Sequence, residues 1–521
     1  MESYPQGRAY RQVTGSISLR GPPEVTFATV KAPLLACALL VAGCHASDAD
    51  APPTAATPPV PVSARFVTDA QGRALLLRGS NVSGRAKSDP LRSPGLTDAD
   101  VERMSRRYGF NLARYLVLWD ALEPTAGAID AAYLDRVAAD VARLGAAGVY
   151  VVFDMHQDVY ATKFCCDGAP PWAIRDDGLP FKLQQLWAAN YLQPAVERAF
   201  DNFWDAAGKD ADLQQHYAAA WKAIATRFAG DPHVVGYDVI NEPSPGSDFD
   251  VVEALTRTSP EGGGKSRSFD ETKLGPFYQR VIDAIREVDR DRWVFVEPRY
   301  GAPANGSPTY LPVLRDPREG AARVVLAPHL YSAMAEASGK YLPGDATVAT
   351  WERERTAEAA RQGGPLLLGE YWAFAWSAPG ATPFVEGLLA MADRMMIGWA
   401  YWAWDAGDAS GSSLWSPSGE DNPAVDTVVR PYARAIAGEP VSMVYDAATR
   451  TLDVVYERRD AVSGPTEVWI PAARVYPGGF DVTLDDPKGT WSTTFDAATG
   501  LARVEADAAT TSHHLRVAPK P

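Results

Sequence analysis

Between Arg65 and Gly438 short apolar runs alternate with amphipathic stretches, and this alternation restricts the fold more than any other feature of the chain. Eight runs read as buried strands: Ala74–Arg78, Leu112–Leu118, Val149–Phe153, Val234–Ile240, Trp293–Val296, Val324–Ala327, Leu366–Leu368 and Gly398–Ala403. They are too continuously apolar for a sheet with one wet face, so helices must cover them. Helical spacing supplies such covers. Tyr133–Leu144 places Leu134, Val137, Val141 and Leu144 on one face behind Asp130 as N-cap, and Phe277–Val288 does the same with Phe277, Val281, Ile285 and Val288. The expectation is an α/β chain with a (β/α)8 TIM barrel over residues 65–438; a doubly wound open sheet is the alternative.

The texture changes at Glu439. Val441–Tyr445, Leu452–Tyr456, Thr466–Ile470, Phe480–Leu484 and Thr490–Thr494 are strand-like runs separated by Asp, Gly and Pro. Residues 439–521 therefore read as a small C-terminal antiparallel β-sandwich, a structural companion or a sugar-binding module. At the other end, Ala32–Ala42 behind Lys31 has the length of a signal core and is too short to span a bilayer. It runs into Val41-Ala42-Gly43-Cys44, which resembles a lipobox; Met1–Thr29 does not read as the start of such a signal, so translation is expected to begin at Val30. Residues 1–43 are expected to be an export segment, with Cys44 lipidated, and an ordinary secretory signal is the alternative. Residues 44–64 form a Pro/Ala-rich tether, able to hold a globular unit roughly 40 Å from a lipid anchor. The chain is thus expected in the cell envelope, anchored to the membrane by its N-terminus, or secreted.

The net charge of −15 argues against nucleic acid as a partner and against a basic membrane-binding patch. Beyond Cys37 and Cys44 the cysteines are the neighbours Cys165 and Cys166, with no metal spacing; a disulfide between them or two free thiols both remain open. Gly262-Gly263-Gly264-Lys265-Ser266 imitates a phosphate loop, but Ser259 stands where the motif requires Gly and no strand leads into it; a surface loop is expected.

Active residues of such barrels sit at the C-terminal ends of strands. Here the strand regions carry or end in Arg114, then Asp154-Met155-His156-Gln157-Asp158, Asn241-Glu242-Pro243, Glu297-Pro298, His329-Leu330-Tyr331, Gly369-Glu370-Tyr371-Trp372 and Tyr401-Trp402-Ala403-Trp404-Asp405. A ring of ionisable groups around one mouth is hard to explain by packing. Glycoside cleavage requires two carboxyls across the scissile bond, one protonated to release the leaving oxygen and one ionised to attack the anomeric carbon. The fourth and seventh strands lie opposite each other, so Glu242 and Glu370 can face each other across that bond, and their neighbours suit Glu242 to the acid/base and Glu370 to the nucleophile. Asn241 can bind the sugar 2-hydroxyl, and Arg114 and Tyr331 can keep Glu370 ionised. Glu297 also ends a strand and is the competing carboxyl, read as rim or structural.

Together these residues resemble glycoside hydrolase family 5. The resemblance covers residues 65–438 and implies functional roles for Arg114, His156, Asn241, Glu242, His329, Tyr331, Glu370 and Trp402. Within the family the run Asp154–Tyr160 (DMHQDVY), with RYLVLWDALEP (Arg114–Pro124) and YDVINEPSPG (Tyr237–Gly246), is most similar to the endoglycoceramidases. That likeness implies Lys87 and Asp158 as sugar ligands and cleavage between glycan and lipid. The segment after the third strand, with Cys165–Gly168 (CCDG), departs from the group. The expected partner is a glycolipid or oligosaccharide, the expected state a monomer, and no cofactor or metal is implied. An endo-β-glycanase is the alternative, and a lipid-anchored carbohydrate-binding protein without catalysis a third reading. The stretch Phe164–Trp204, with Phe164, Trp172, Phe181, Leu183, Leu186, Trp187, Tyr191, Phe203 and Trp204, is expected to help build an apolar groove that receives the lipid, although Leu183, Leu186 and Trp187 also have the spacing of a helix packed on the barrel.

Overall fold

A computed structural model describes residues 65–521, apart from 84, 186, 257–260, 374, 406–411 and 423–424. The export segment 1–43, the tether 44–64, Cys44 and Leu186 lie outside the described residues. A short strand β1 (Ala74–Leu75) precedes eight parallel strands: β2 (Arg78–Val82), β3 (Leu112–Leu118), β4 (Tyr150–His156), β5 (Val234–Asp238), β6 (Trp293–Val296), β7 (Val324–Leu326), β8 (Leu367–Tyr371) and β9 (Gly398–Tyr401). Their order is β7-β6-β5-β4-β3-β2-β9-β8, and the bridges Leu326 to Leu366 and Leu330 to Tyr371 join the two ends into a ring. Helices follow most strands. That of Ala131–Ala146 begins where expected, with Asp130 accepting a hydrogen bond from the Tyr133 amide.

The two-residue period of the strands stacks two layers inside the ring. Leu77, Leu112, Val152, Phe295, Val325, Leu367 and Ala400 form an apolar cluster. The next inward positions toward the C-terminal ends include Arg114, Asp154 and Glu297, all buried. The outward residues Ala113, Tyr115 and Val117 of β3 and Val151, Phe153 and Met155 of β4 belong to the larger core shared with the helices. A polar floor therefore rests on an apolar plug, and the open end of the barrel lies above it.

The C-terminal part is two antiparallel sheets built from β10 (Tyr432–Ile436), β11 (Glu439–Asp446), β12 (Thr451–Glu457), β13 (Thr466–Trp469), β14 (Phe480–Leu484), β15 (Ser492–Asp496), β16 (Leu501–Glu505) and β17 (Ser512–Pro519). One sheet has the order β1-β10-β13-β16-β15 and the other β11-β12-β17-β14. Three expectations are corrected. Ala74–Arg78 is not a single barrel strand: Ala74 and Leu75 pair with Ile436 and Ala435 in the sandwich, and the barrel strand begins at Arg78. The boundary at 438 falls too late, because β10 already belongs to the sandwich. Gly262–Ser266 is no loop: the glycines supply three positive φ angles that lead into the helix Gly264–Phe269. Among the described residues no helix is long and apolar enough to cross a membrane.

The barrel and the sandwich share buried contacts. Val67, Leu75 and Ala435 join the barrel's interior cluster. Buried Arg78 pairs with Asp393 and lies 4.7 Å over the ring of Tyr432, whose hydroxyl donates to the Gly109 carbonyl at 2.8 Å. Gly109 has φ +69°, and a Cβ there would stand 2.0 Å from the buried Trp469 ring. Gly109→Val is therefore expected to lower stability by about 1–3 kcal/mol through overpacking, with strain from the positive φ in addition. The melting temperature of Gly109→Val against Gly127→Val, where a Cβ meets open space, checks this; equal melting would contradict the packing argument.

Candidate active site

Arg114, the inward residue of β3, is fully buried and donates to groups from five other strand ends. Its Nη1 reaches Glu370 Oε1 at 2.6 Å, Asn81 Oδ1 at 2.8 Å and Asp154 Oδ2 at 3.0 Å. Its Nε donates to Asp238 Oδ2 at 2.9 Å, and its Nη2 to Glu297 Oε1 at 2.6 Å and Asn241 Oδ1 at 3.2 Å. A lysine could not do this, because only the planar guanidinium offers five diverging donors. Four carboxylates around one cation are too many for all to be charged in a buried site. Burial, with Glu297 and Asp154 adding to it, pushes Asp238 well above the carboxylate range in spite of Arg114.

Glu370 ends β8. Besides Arg114 it accepts from the Tyr331 hydroxyl, through Oε2 at 2.8 Å. Glu242 follows β5 and has φ +41°, a left-handed conformation costly for a residue with a side chain. The strain is held by hydrogen bonds on both sides. The Glu242 amide donates to Glu297 Oε2 at 2.8 Å, and Gln157 Nε2 donates to the carbonyls of Asn241 at 2.9 Å and Glu242 at 3.0 Å. Glu242 Oε1 lies 2.8 Å from His329 Nδ1, whose other ring nitrogen lies 3.3 Å from Glu297. Although burial opposes its charge, Glu297 and Glu370 push His329 well above the usual imidazole range. Burial raises Glu242 above the usual carboxylate value; His329 opposes this, and Glu370 and Glu297 add to it. A carboxylate oxygen of Glu242 and one of Glu370 lie within 4.8 Å of each other. That spacing fits two carboxyls reacting with one atom between them, and leaves no room for the intervening water of an inverting pair, about 6.5–9.5 Å apart.

On one side of the pair, His156 hydrogen-bonds Asp154 through Nδ1 at 2.7 Å and stacks on the Trp402 ring at 5.3 Å. Against burial and Lys87, Asp154 raises His156 to about 9. Lys87 lies 4.5 Å over the same Trp402 ring and pairs with Asp158. Asp158 is held well below the carboxylate range: burial opposes this, but Lys87 and His156 prevail. On the other side, beyond Glu242, Tyr300 bonds the Pro243 carbonyl through its amide at 2.9 Å. Its ring stacks on Tyr191 at 4.1 Å and lies 5.8 Å from Phe249 and 6.4 Å from Trp187.

All ten substrate-site and catalytic positions named from the sequence thus border one cleft. Asn81, Asp154, Asp238 and Gln157 were not assigned roles. Asn81 was hidden by the misplaced first strand, and Gln157 and Asp154 were visible only as parts of the DMHQD motif. Glu297 is not a rim group; it is buried beneath Glu242. Groups such as Asp154, Asp238 and Glu297 are spaced like metal ligands, but Arg114 already fills the space between them. Cys165 and Cys166 form a disulfide. Within the expected groove segment, core and exposed residues divide differently from the expectation. Phe164 is 0% exposed and Trp172 packs on the core with its Nε1 bonded to the Glu123 carbonyl. Leu183 and Trp187, which have the spacing of a packed helix, are 50% and 42% exposed.

Arg114→Met is expected to cost about 3–5 kcal/mol, because it leaves buried carboxylates without a cation. Arg107→Met, at an exposed pair with Asp421, is expected to cost less than about 1 kcal/mol. Chemical denaturation of both variants checks this, and equal losses would refute the central role of Arg114.

Comparison with known proteins agrees with this geometry. Residues 68–408 match the cellulase family (glycosyl hydrolase family 5), and residues 430–517 match the glycoside hydrolase family 5 C-terminal domain. Endoglycoceramidase I of Rhodococcus hoagii (strain 103S) is 30% identical over 436 residues, covering 80% of this chain and 81% of its own. Endo-glycoceramidase II from Rhodococcus sp. in its ganglioside GM3 complex superposes with a TM-score of 0.79 at 33% identity, over 88% of this chain and 99% of that one. Its lactosyl-enzyme intermediate does so with a TM-score of 0.78 at 35% identity, over 88% and 100%.

Proposed function

The chain belongs to glycoside hydrolase family 5, and from that premise we propose that it cleaves the β-glycosidic bond between a glycan and a lipid with retention of configuration, using Glu370 as nucleophile and Glu242 as acid/base. The observation that carries the assignment is the asymmetry of two close carboxyls. Glu370 lies between two donors, Arg114 and Tyr331, which suits attack on the anomeric carbon. Glu242 has a raised affinity for its proton and the most accessible carboxyl of the group, which suits donation to the leaving oxygen. In the first step Glu370 bonds to the anomeric carbon while the Glu242 proton passes to the lipid oxygen. In the second, Glu242 takes a proton from water, whose oxygen displaces Glu370. Asn241 is the candidate ligand of the 2-hydroxyl, and Lys87, Asp158, His156 and Trp402 of the outer sugar faces.

The lipid reading is supported by the apolar side of the cleft. The rings of Tyr191, Tyr300, Phe249 and Trp187 gather beside Pro243, and the segments that carry Trp187 and Phe249 also carry exposed Leu183, Val251 and Val252, the last 65% exposed. An apolar chain covering such a surface gains about 25 cal/mol per Å². Relatives of similar architecture include a ganglioside complex and a lactosyl-enzyme, which agrees with a glycan on one side and a lipid on the other. The lipobox-like stretch ending at Cys44 supports an exported, membrane-anchored enzyme.

Incubation with a fluorinated glycoside is expected to label Glu370; a label on Glu242 or Glu297 would overturn the assignment. Glu242→Ala is expected to lose most activity on glycolipid but much less on an activated aryl glycoside, and azide should restore turnover as a β-glycosyl azide; an α product would contradict retention. The active form carries the Glu242 proton, so kcat/KM should fall as pH rises through a value above the ordinary carboxylate range of about 4.3, and this limb should vanish in Glu242→Ala. Trp187→Ser with Leu183→Ser should selectively slow a glycolipid relative to a soluble substrate with the same glycan. Equal effects on both, in a protein that also cuts soluble β-glucan, would favour the polysaccharide alternative.

A further inference from the structure

Lys87 has two carboxylate neighbours, and only Asp158 has so far been given a part. The second, Asp167, comes from the segment Cys165–Gly168 that follows β4. Asp158 and Asp167 face each other across a reciprocal pair of backbone hydrogen bonds, Asp158 N–H to Asp167 O at 3.2 Å and Asp167 N–H to Asp158 O at 3.3 Å. Between them the chain makes a tight excursion, with Val159, Tyr160 and Cys165 all at positive φ. Three features fasten its returning limb. Phe164 is buried against Phe181, Cys165 and Cys166 are joined as a disulfide, and Gly168 lies so close to Gln157 and the Tyr160 carbonyl that a Cβ would stand 2.6 Å from each. Asp167 is thereby fixed beneath the sugar-facing side of the cleft.

Its carboxylate is buried, one of its oxygens lies 3.9 Å from Lys87 Nζ, and the other, Oδ1, has no hydrogen-bond partner. A buried carboxyl with an unsatisfied oxygen is costly, so its effect must come through the cations it faces, of which Lys87 acts more strongly than His156 or Arg92. Resting on the glycan-binding role proposed for Lys87, we propose that Asp167 is a positioning residue of the glycan subsite, which holds the Lys87 ammonium between two carboxylates and over Trp402 and is itself kept in place by the adjacent Cys165–Cys166 clasp. Asp158 then remains free to accept a sugar hydroxyl without releasing Lys87. Burial, opposed by Lys87 and reinforced by Asp158, pushes Asp167 up to about 6, as expected for a carboxyl sharing its cation with a stronger competitor.

The test is lactose binding by calorimetry to the full chain carrying Glu370→Gln, so that no turnover intervenes, with Asp167→Asn and Lys87→Met singly and together. Asp167→Asn is expected to weaken binding about tenfold when Lys87 is present and less than about twofold when it is Met, as coupled neighbours do. Additive losses, or no loss from Asp167→Asn, would overturn the proposal; Asp167→Ser serves in the same cycle if Asp167→Asn does not accumulate. Cys165→Ser with Cys166→Ser should weaken binding in the Lys87 protein and not in the Lys87→Met protein; equal weakening would overturn the clasp. Failure of the Glu370→Gln protein to bind lactose at all would overturn the glycan subsite and Asp167 with it. Wild-type protein that binds lactose but leaves glycolipid uncut would overturn the hydrolase reading alone.

Discussion

The site depends on one buried guanidinium. Arg114 lies at the height in the barrel where the inward side chains change from apolar to polar, and it is the cation that lets carboxylates occur there in such number. Without it, Asp154, Glu297 and Glu370 would meet in a low-dielectric interior, and repulsion and desolvation would act together. With it, they become a rigid frame. Asn81, Asp154, Asp238, Asn241, Glu297 and Glu370 each take part of the guanidinium's hydrogen-bonding capacity. A shift of one strand end would therefore be felt by all the others. The charge of the cluster is limited in a second way, since Asp238 is pushed toward its neutral form.

This frame treats the two reactive glutamates differently. Glu370 bonds Arg114 directly. Glu242 has no direct bond to that cation; its amide is tied to Glu297, whose two oxygens divide between the Arg114 guanidinium and the Glu242 amide. That link holds Glu242 in its left-handed backbone conformation, and its side chain consequently meets His329 and the open cleft rather than the guanidinium. Backbone strain at one residue thus separates the electrostatic environments of two carboxyls whose oxygens are within 4.8 Å. Gln157 supports the arrangement from the neighbouring strand by gripping the same two carbonyls.

The cleft walls divide by chemistry in the same direction. Lys87, Asp158, His156 and Trp402 form a charged and aromatic wall suited to hydroxyl groups, and they derive from β4 and the loops after β2, β4 and β9. Tyr191, Tyr300, Phe249 and Trp187 form an apolar wall beside Glu242. A bond with a sugar on one side and a lipid on the other would lie between them. The long segment after β4 contributes to both walls. Its first part turns back as the hairpin that carries the Cys165–Cys166 disulfide and Asp167, and its later part exposes Leu183 and Trp187.

The period of apolar runs in the sequence was enough to establish the barrel, the sandwich and the positions of Arg114, Glu242 and Glu370, because strand alternation converts position directly into inside or outside and strand end into cleft. The first strand and the sandwich boundary were misread for a physical reason. Ala74, Leu75 and Tyr432–Ile436 are as apolar as barrel strands, and only pairing in three dimensions, Ala74 with Ile436 and Tyr432 with Trp469, assigns them to the other sheet. The same holds for Phe164, Trp172, Leu183 and Trp187, where residue type states what can be buried but not what is. The sequence determined that two carboxyls would face each other over a polar floor. The tertiary structure decided which of them is tied to the cation, which aromatic side chains stay exposed and which carboxylates hold Lys87, since each of these depends on three-dimensional contacts that local pattern does not encode.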